Sequence, residues 1–163
     1  MTMLEIKKYP NSVLRKKSKE VKEITSETKK LVEDMMQVME KEKGVGLAAP
    51  QVGVSERIIV VRAEEGPKVF INPQIIKKSK EKEIGEEGCL SFPHIFLKIK
   101  RAKEIEVAAL NLQGEKIRVE VRDFLARVFQ HEIDHLNGIL LIDHISFYKK
   151  LWVLLKIWSK KVG

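Results

Sequence analysis

A single cysteine, Cys89, excludes any internal disulfide from this 163-residue chain. That scarcity points to a reducing compartment, the cytoplasm, or to a thiol kept for chemistry. No apolar run reaches the length needed to cross a bilayer, so no transmembrane helix is expected. Residues 1–10 place Glu5, Lys7 and Lys8 among the apolar side chains and offer no continuous apolar core for a secretory leader. Asn, Gln and Asp are scarce beside abundant Lys and Glu, a bias that accompanies adaptation to heat. Basic motifs interleaved with aromatics are also missing. The net charge of +8 therefore reads mostly as solvated surface lysine, and no direct DNA binding is expected. Without repeats, low-complexity tracts or a linker, the chain is expected to be one domain, 1–163, closed by a C-terminal helix over 146–163.

Periodicity supplies the elements. Residues 26–43 read as an amphipathic helix capped by Ser26, with Leu31, Met35, Val38 and Met39 at helical spacing and Gly44 as the stop. Residues 44–51 read as a loop, followed by a buried strand over 57–61 and a second over 69–72. Two alternating segments, 104–110 and 116–122, flank the turn residues 111–114 and predict a hairpin. Asp123 is a candidate N-cap for a helix that carries Phe124, Val128, His131 and His135 along one face and ends at Gly138. Ser146 is expected to cap the last helix, with Phe147, Leu151, Leu154, Leu155 and Trp158 as an apolar stripe among lysines.

The most informative stretch is His131-Glu132-Ile133-Asp134-His135. Two histidines four residues apart share one face of a helix, and the Glu beside the first can reach a metal-bound water. Such a short pattern also occurs on ordinary solvated helices. Economy favours the metal reading, because the chain has only four histidines and one cysteine, and three of these five side chains fall in or around this site.

A catalytic site of this type needs a third protein ligand and an open position. The long metzincin pattern would place a histidine six residues after His135, where Leu141 stands, and no glutamate follows Glu132 at all. Asp143, His144 and Cys89 remain. Thiolate chemistry favours Cys89, since a bound metal itself deprotonates the thiol; the competing reading is a small buried hydrophobe.

Three stretches, Gly44-Val45-Gly46-Leu47-Ala48-Ala49-Pro50-Gln51, Glu87-Gly88-Cys89-Leu90-Ser91 and Gln130-His131-Glu132-Ile133-Asp134-His135-Leu136-Asn137-Gly138, together resemble the signature motifs of the peptide deformylases, in order and spacing. The resemblance implies an α+β fold, with mixed or antiparallel sheets around a central helix bearing the two histidines, and with N- and C-terminal helices. It implies removal of the formyl group from formyl-methionyl nascent peptides, with release of formate. Cys89, His131 and His135 would hold one divalent metal, Fe2+ by family habit, although Zn2+, Ni2+ or Co2+ would suit the donors. A metal-bound water would attack the formyl carbonyl with Glu132 as general base and then acid. Gln51 and the Leu90 backbone N–H would stabilise the oxyanion. Gly46 would pair with an extended substrate, and Val45, Phe124 and Val128 would wall a methionine pocket. His94 and His144 are expected outside the metal set, Glu87 is a candidate partner for Arg101, and Arg127 has no assigned role. In this family the C-terminal helix is associated with the ribosome, which the basic helix here would suit.

Overall fold

The computed structural model describes residues 4–161. Helix α1 spans Ser26–Lys41, and its N-cap is Thr25 rather than Ser26. Thr25 and Thr28 form a reciprocal capping box, so the hydroxyl one position earlier satisfies the first free amides. Val32, Met35 and Met39 are fully buried, while Leu31 and Val38 pack at the margin of the same core.

The expected loop after α1 contains a short strand, β1, Gly46–Ala48, and then a 3-10 turn over Ala49–Val52. Strands β2 (Ile58–Ala63) and β3 (Gly66–Lys78) follow, the latter much longer than the four residues that the apolar pattern indicates. Next comes a separate hairpin that the sequence reading omits, β4 (Lys82–Cys89) with β5 (Phe92–Ala102). Strands β6 (Glu104–Leu110) and β7 (Lys116–Arg122) form the expected hairpin with the expected bounds. Asn111 builds its turn by accepting the backbone N–H groups of Gln113 and Glu115.

All pairing in the five-stranded sheet, ordered β1-β2-β3-β6-β7, is antiparallel. Strand β2 is buried on both faces, which explains its continuous apolar run. Ile58 and Val60 face the core built on α1, whereas Ile59 and Val61 face a second core with Val128, Phe129, Ile133 and Leu136. Those four lie on helix α2, Asp123–Leu136. The sheet is thus packed between α1 and α2, with β1 at one edge. Asp123 begins the helix with φ 51° instead of capping it, and Arg122 takes the N-cap place without a side-chain bond. Gly138, at φ 71°, ends the turn after α2 in the left-handed region that suits glycine.

The β4–β5 hairpin packs through Phe92, Ile95, Leu97 and Ile99 on Leu14, Leu140, Leu141 and Ile142. Helix α3 is Phe147–Lys161, and it starts directly after Ser146, whose carbonyl accepts the Lys150 N–H. Only Val153 is fully sunk in this third core, with Leu154 and Ile157 at its edge. The rest of the expected stripe, Phe147, Leu151, Leu155 and Trp158, is exposed.

Candidate active site

Helix α2 carries its polar residues inward. Arg127, Gln130, His131, Glu132 and His135 are all buried, on a helix that packs on the sheet through Val128, Phe129, Ile133 and Leu136 and reaches β4 and β5 through Arg127, Gln130 and His131. Burial of so many polar groups is costly unless each is bonded, and most of them are. Gln130 holds the backbone of Ala102 in both directions, accepting its N–H at 3.1 Å and donating to its carbonyl at 2.9 Å.

The bulged end of β4 brings Cys89 against the helix. Its Sγ lies 3.3 Å from His135 Nε2, and one donor atom from each of Cys89, His131 and His135 falls within 4.8 Å of the others. Donors about 2.0–2.3 Å from a tetrahedral ion sit about 3.5 Å apart, so this set fits a divalent metal in spacing as well as in chemistry. Two buried polar atoms here have no partner among the described residues, Glu132 Oε2 and His135 Nδ1.

The two histidines are held differently. Burial opposes a charge on His131, but hydrogen bonds with Cys89 and Glu87 overcome that and hold its pKa well above the ordinary value. His135 is driven the other way, first by burial and then by the charge on His131. A metal on these donors would compete with a proton for the His131 nitrogen that faces Cys89. Glu132, 4% exposed, has its carboxyl pushed up to about 7 by burial, and a cation on the neighbouring donors would draw it back down.

Behind His131 lies a network that sequence reasoning found only in part. Its Nδ1 is 3.0 Å from Glu87 Oε2. Arg101 grips Glu87 through two bonds of 2.9 and 3.0 Å, the pairing expected from sequence. Arg127, unassigned in the sequence, donates to Glu87 at 2.9 Å and to the backbone carbonyls of Glu83 and Ile99. Arg101 reaches on to Asp134 at 2.5 Å, and Asp134 to His144 at 2.7 Å. Burial alone would raise the Glu87 carboxyl, but His131 and Arg101 reverse it and hold it far below the usual carboxylate range. A fixed anion on Nδ1 orients the ring and turns Nε2 toward the donor cluster. The signal for Arg101 was legible: it continues the inward phase of Ile95, Leu97 and Ile99 on β5. Gly85 makes room for Arg127, since a Cβ there would lie 2.8 Å from the guanidinium carbon.

Gln51, 1% exposed, accepts the Ala48 N–H at 2.9 Å through Oε1. Its NH2 end must then face the site, where it lies 3.5 Å from Cys89 Sγ and 3.4 Å from Ser91 Oγ. Gly46 is required by close approach rather than by its turn. A Cβ would stand 2.5 Å from Glu132 Oε1 and 2.9 Å from Val128 Cγ1. A cleft of about 1610 Å³ opens over these groups, lined by Val45, Gly46, Leu90, Phe124 and Val128 together with Cys89, His131 and Glu132. Asp143 and His144 are elsewhere. Asp143 pairs with Arg15 and Lys150, and neither joins the donor cluster.

A soft donor set beside a buried carboxylate, on an α+β scaffold with an open cleft, is the equipment of a metal-dependent hydrolase. Comparison with known proteins narrows the class. The polypeptide deformylase family model matches residues 3–151. A peptide deformylase of Halothermothrix orenii is 52% identical over 147 residues, covering 89% of this chain and 95% of that protein. The crystal structure of the Thermotoga maritima peptide deformylase is 48% identical with a TM-score of 0.87, covering 90% of this chain and 99% of that one. That of the Ehrlichia chaffeensis peptide deformylase in complex with actinonin has a TM-score of 0.94 at 38% identity, covering 100% of both chains. The chain belongs to the polypeptide deformylase family, metal-dependent enzymes that remove the N-formyl group from newly made polypeptides.

Proposed function

We propose that this chain hydrolyses the formamide of formyl-methionyl polypeptides at the cluster of Cys89, His131 and His135, with Glu132 moving the proton. The observation that carries this reading is the unpartnered, buried Glu132 Oε2 beside three convergent donors. Cys89, His131 and His135 would hold a divalent metal, Fe2+ by family expectation with Zn2+, Ni2+ or Co2+ suited to the same donors, which would supply Lewis acidity to a water and to the formyl oxygen. Glu132 accepts the proton of the attacking water and returns it to the departing amine, so that water and formamide become formate and a free N-terminus. Glu132 is the buried carboxylate beside the three donors and is placed for both halves of that exchange.

As the carbonyl carbon becomes tetrahedral, charge grows on the formyl oxygen. Gln51, whose NH2 end is fixed toward the site by Ala48, and the Leu90 backbone N–H are the donors assigned to it. Strand β1 is at the sheet edge, so an extended peptide adds beside Val45 and Gly46 through its backbone, which makes binding tolerant of sequence. The methionine side chain then lies against Val45, Phe124 and Val128. The reaction belongs to one domain acting in the cytoplasm, where a free thiol persists.

The test is formate release from a formyl-methionyl peptide by anaerobically prepared protein loaded with ferrous iron. Glu132→Ala should lose on the order of 10²- to 10⁴-fold in kcat while retaining its metal. Undiminished release would remove Glu132 from the reaction.

A further inference from the structure

Helix α3 is turned partly inside out. Val153, Leu154 and Ile157 face the β5 core, yet Phe147, Tyr148, Leu151, Trp152, Leu155 and Trp158 are exposed, Tyr148 to 82% and Trp158 to 70%. At about 100° per residue these six fall in one arc of about 140°, centred nearly opposite the packed residues. Lys149, Lys156 and Lys160 form a row along one border of that arc, and Lys156 lies over the Trp152 ring at 4.7 Å. The helix has five lysines and no acidic residue. An apolar patch of this kind, left in water by the chain's own core, marks a surface for something else.

Three occupants can be compared. A second copy would bring the same uncompensated lysines toward one another. A nucleic-acid surface, ribosomal RNA included, rewards lysines at the centre of contact, whereas here they border an aromatic and aliphatic centre. An anionic bilayer satisfies both features: the arc enters the headgroup–acyl boundary while the lysine row meets lipid phosphates. Among the described residues no helix is long and apolar enough to cross a membrane, so such a helix would lie along the surface. We propose that the outer face of α3 is a lipid-contact surface that holds this enzyme peripherally on anionic membranes.

The chain's two tryptophans are both on this helix, so its tryptophan emission reports α3 alone. Full-length protein should co-sediment with phosphatidylglycerol–phosphatidylcholine vesicles with a blue-shifted emission. Binding should be weaker by about tenfold or more on pure phosphatidylcholine and should fall as salt is raised. Leu155→Glu combined with Trp158→Glu should abolish binding, and Lys149→Glu with Lys156→Glu and Lys160→Glu should remove the anionic preference. Formate release should be unchanged in both variants, which confirms that they fold. Protein that stays in the supernatant with unshifted emission overturns the proposal. So does a response confined to purified ribosomes, or a concentration-dependent dimer that the Leu155 and Trp158 changes dissolve.

Discussion

Helices α2 and α3 are nearly equal in length and opposite in habit. In α2 the polar residues are inside: ten of its residues are buried, among them two histidines, a glutamate, an arginine and a glutamine. In α3 a single residue, Val153, is fully buried, and tryptophan, leucine, tyrosine and phenylalanine face solvent. A helix that serves only the core would show neither pattern. Each inversion marks a place where sequence was kept for something other than stability. On α2 the cost of burying charge is offset by pairing, and on α3 apolar surface is left open.

The strongest way to break that comparison is to leave the buried charges of the site unpaired. Glu87→Ala strands Arg101, Arg127 and His131 beside one another, because all three bond to that carboxylate. Loss of one partner from such a set costs about 3–5 kcal/mol, and loss of the ring's anchor weakens metal affinity about 10- to 100-fold. Denaturant unfolding and metal titration with a chelator as competitor measure the two effects separately. Wild-type stability in Glu87→Ala would mean that water already solvates these groups.

A smaller effect is expected at the junction of the two helices. Asp143, between α2 and α3, is partly exposed and pairs with Arg15 and Lys150. Burial would raise its carboxyl, but the bonds from Arg15, the Leu140 N–H and Lys150 outweigh that and hold it at about 2. A carboxylate depressed below its unfolded value of about 3.9 stabilises the fold above that pH, and the contribution fades as pH falls toward 2. Asp143→Asn should therefore lower stability by under about 1 kcal/mol at neutral pH, given solvent screening, with the gap to wild type closing near pH 2. Thermal unfolding across pH checks the sign. A gap that widened in acid would contradict it. The paired changes at Leu155 and Trp158 are expected to do least, within about 0.5 kcal/mol, since those side chains touch little of the core.

The same contrast explains what could be read from sequence. The β6–β7 hairpin was legible to its end residues because alternation and turn chemistry are local signals. Cys89, His131, Glu132, His135 and Gln51 were reached through motif order, and they do converge. Strand β4 was hidden because five of its eight residues are exposed and four are charged, and β5 alone supplies its ladder. Three-residue β1 is too short for any periodicity. Strand β5 did carry a signal that went unused, the alternation of Ile95, Leu97 and Ile99 that places Arg101 inside. The link from Arg101 through Asp134 to His144 joins three distant segments, and no local pattern encodes such a contact. For α3, spacing located the apolar stripe but not the side that meets the core. Val153, Leu154 and Ile157 took that place, packed in the cluster with Phe92, Leu140, Leu141 and Ile142.

The central claim is that one thiol and two imidazoles hold the metal. Metal content of anaerobically purified Cys89→Ser, compared with wild type after matched chelator dialysis, tests it most directly. The account predicts about one divalent ion per wild-type chain and near-complete loss in a folded variant. Wild-type metal content in Cys89→Ser would contradict it and move the third ligand to another residue.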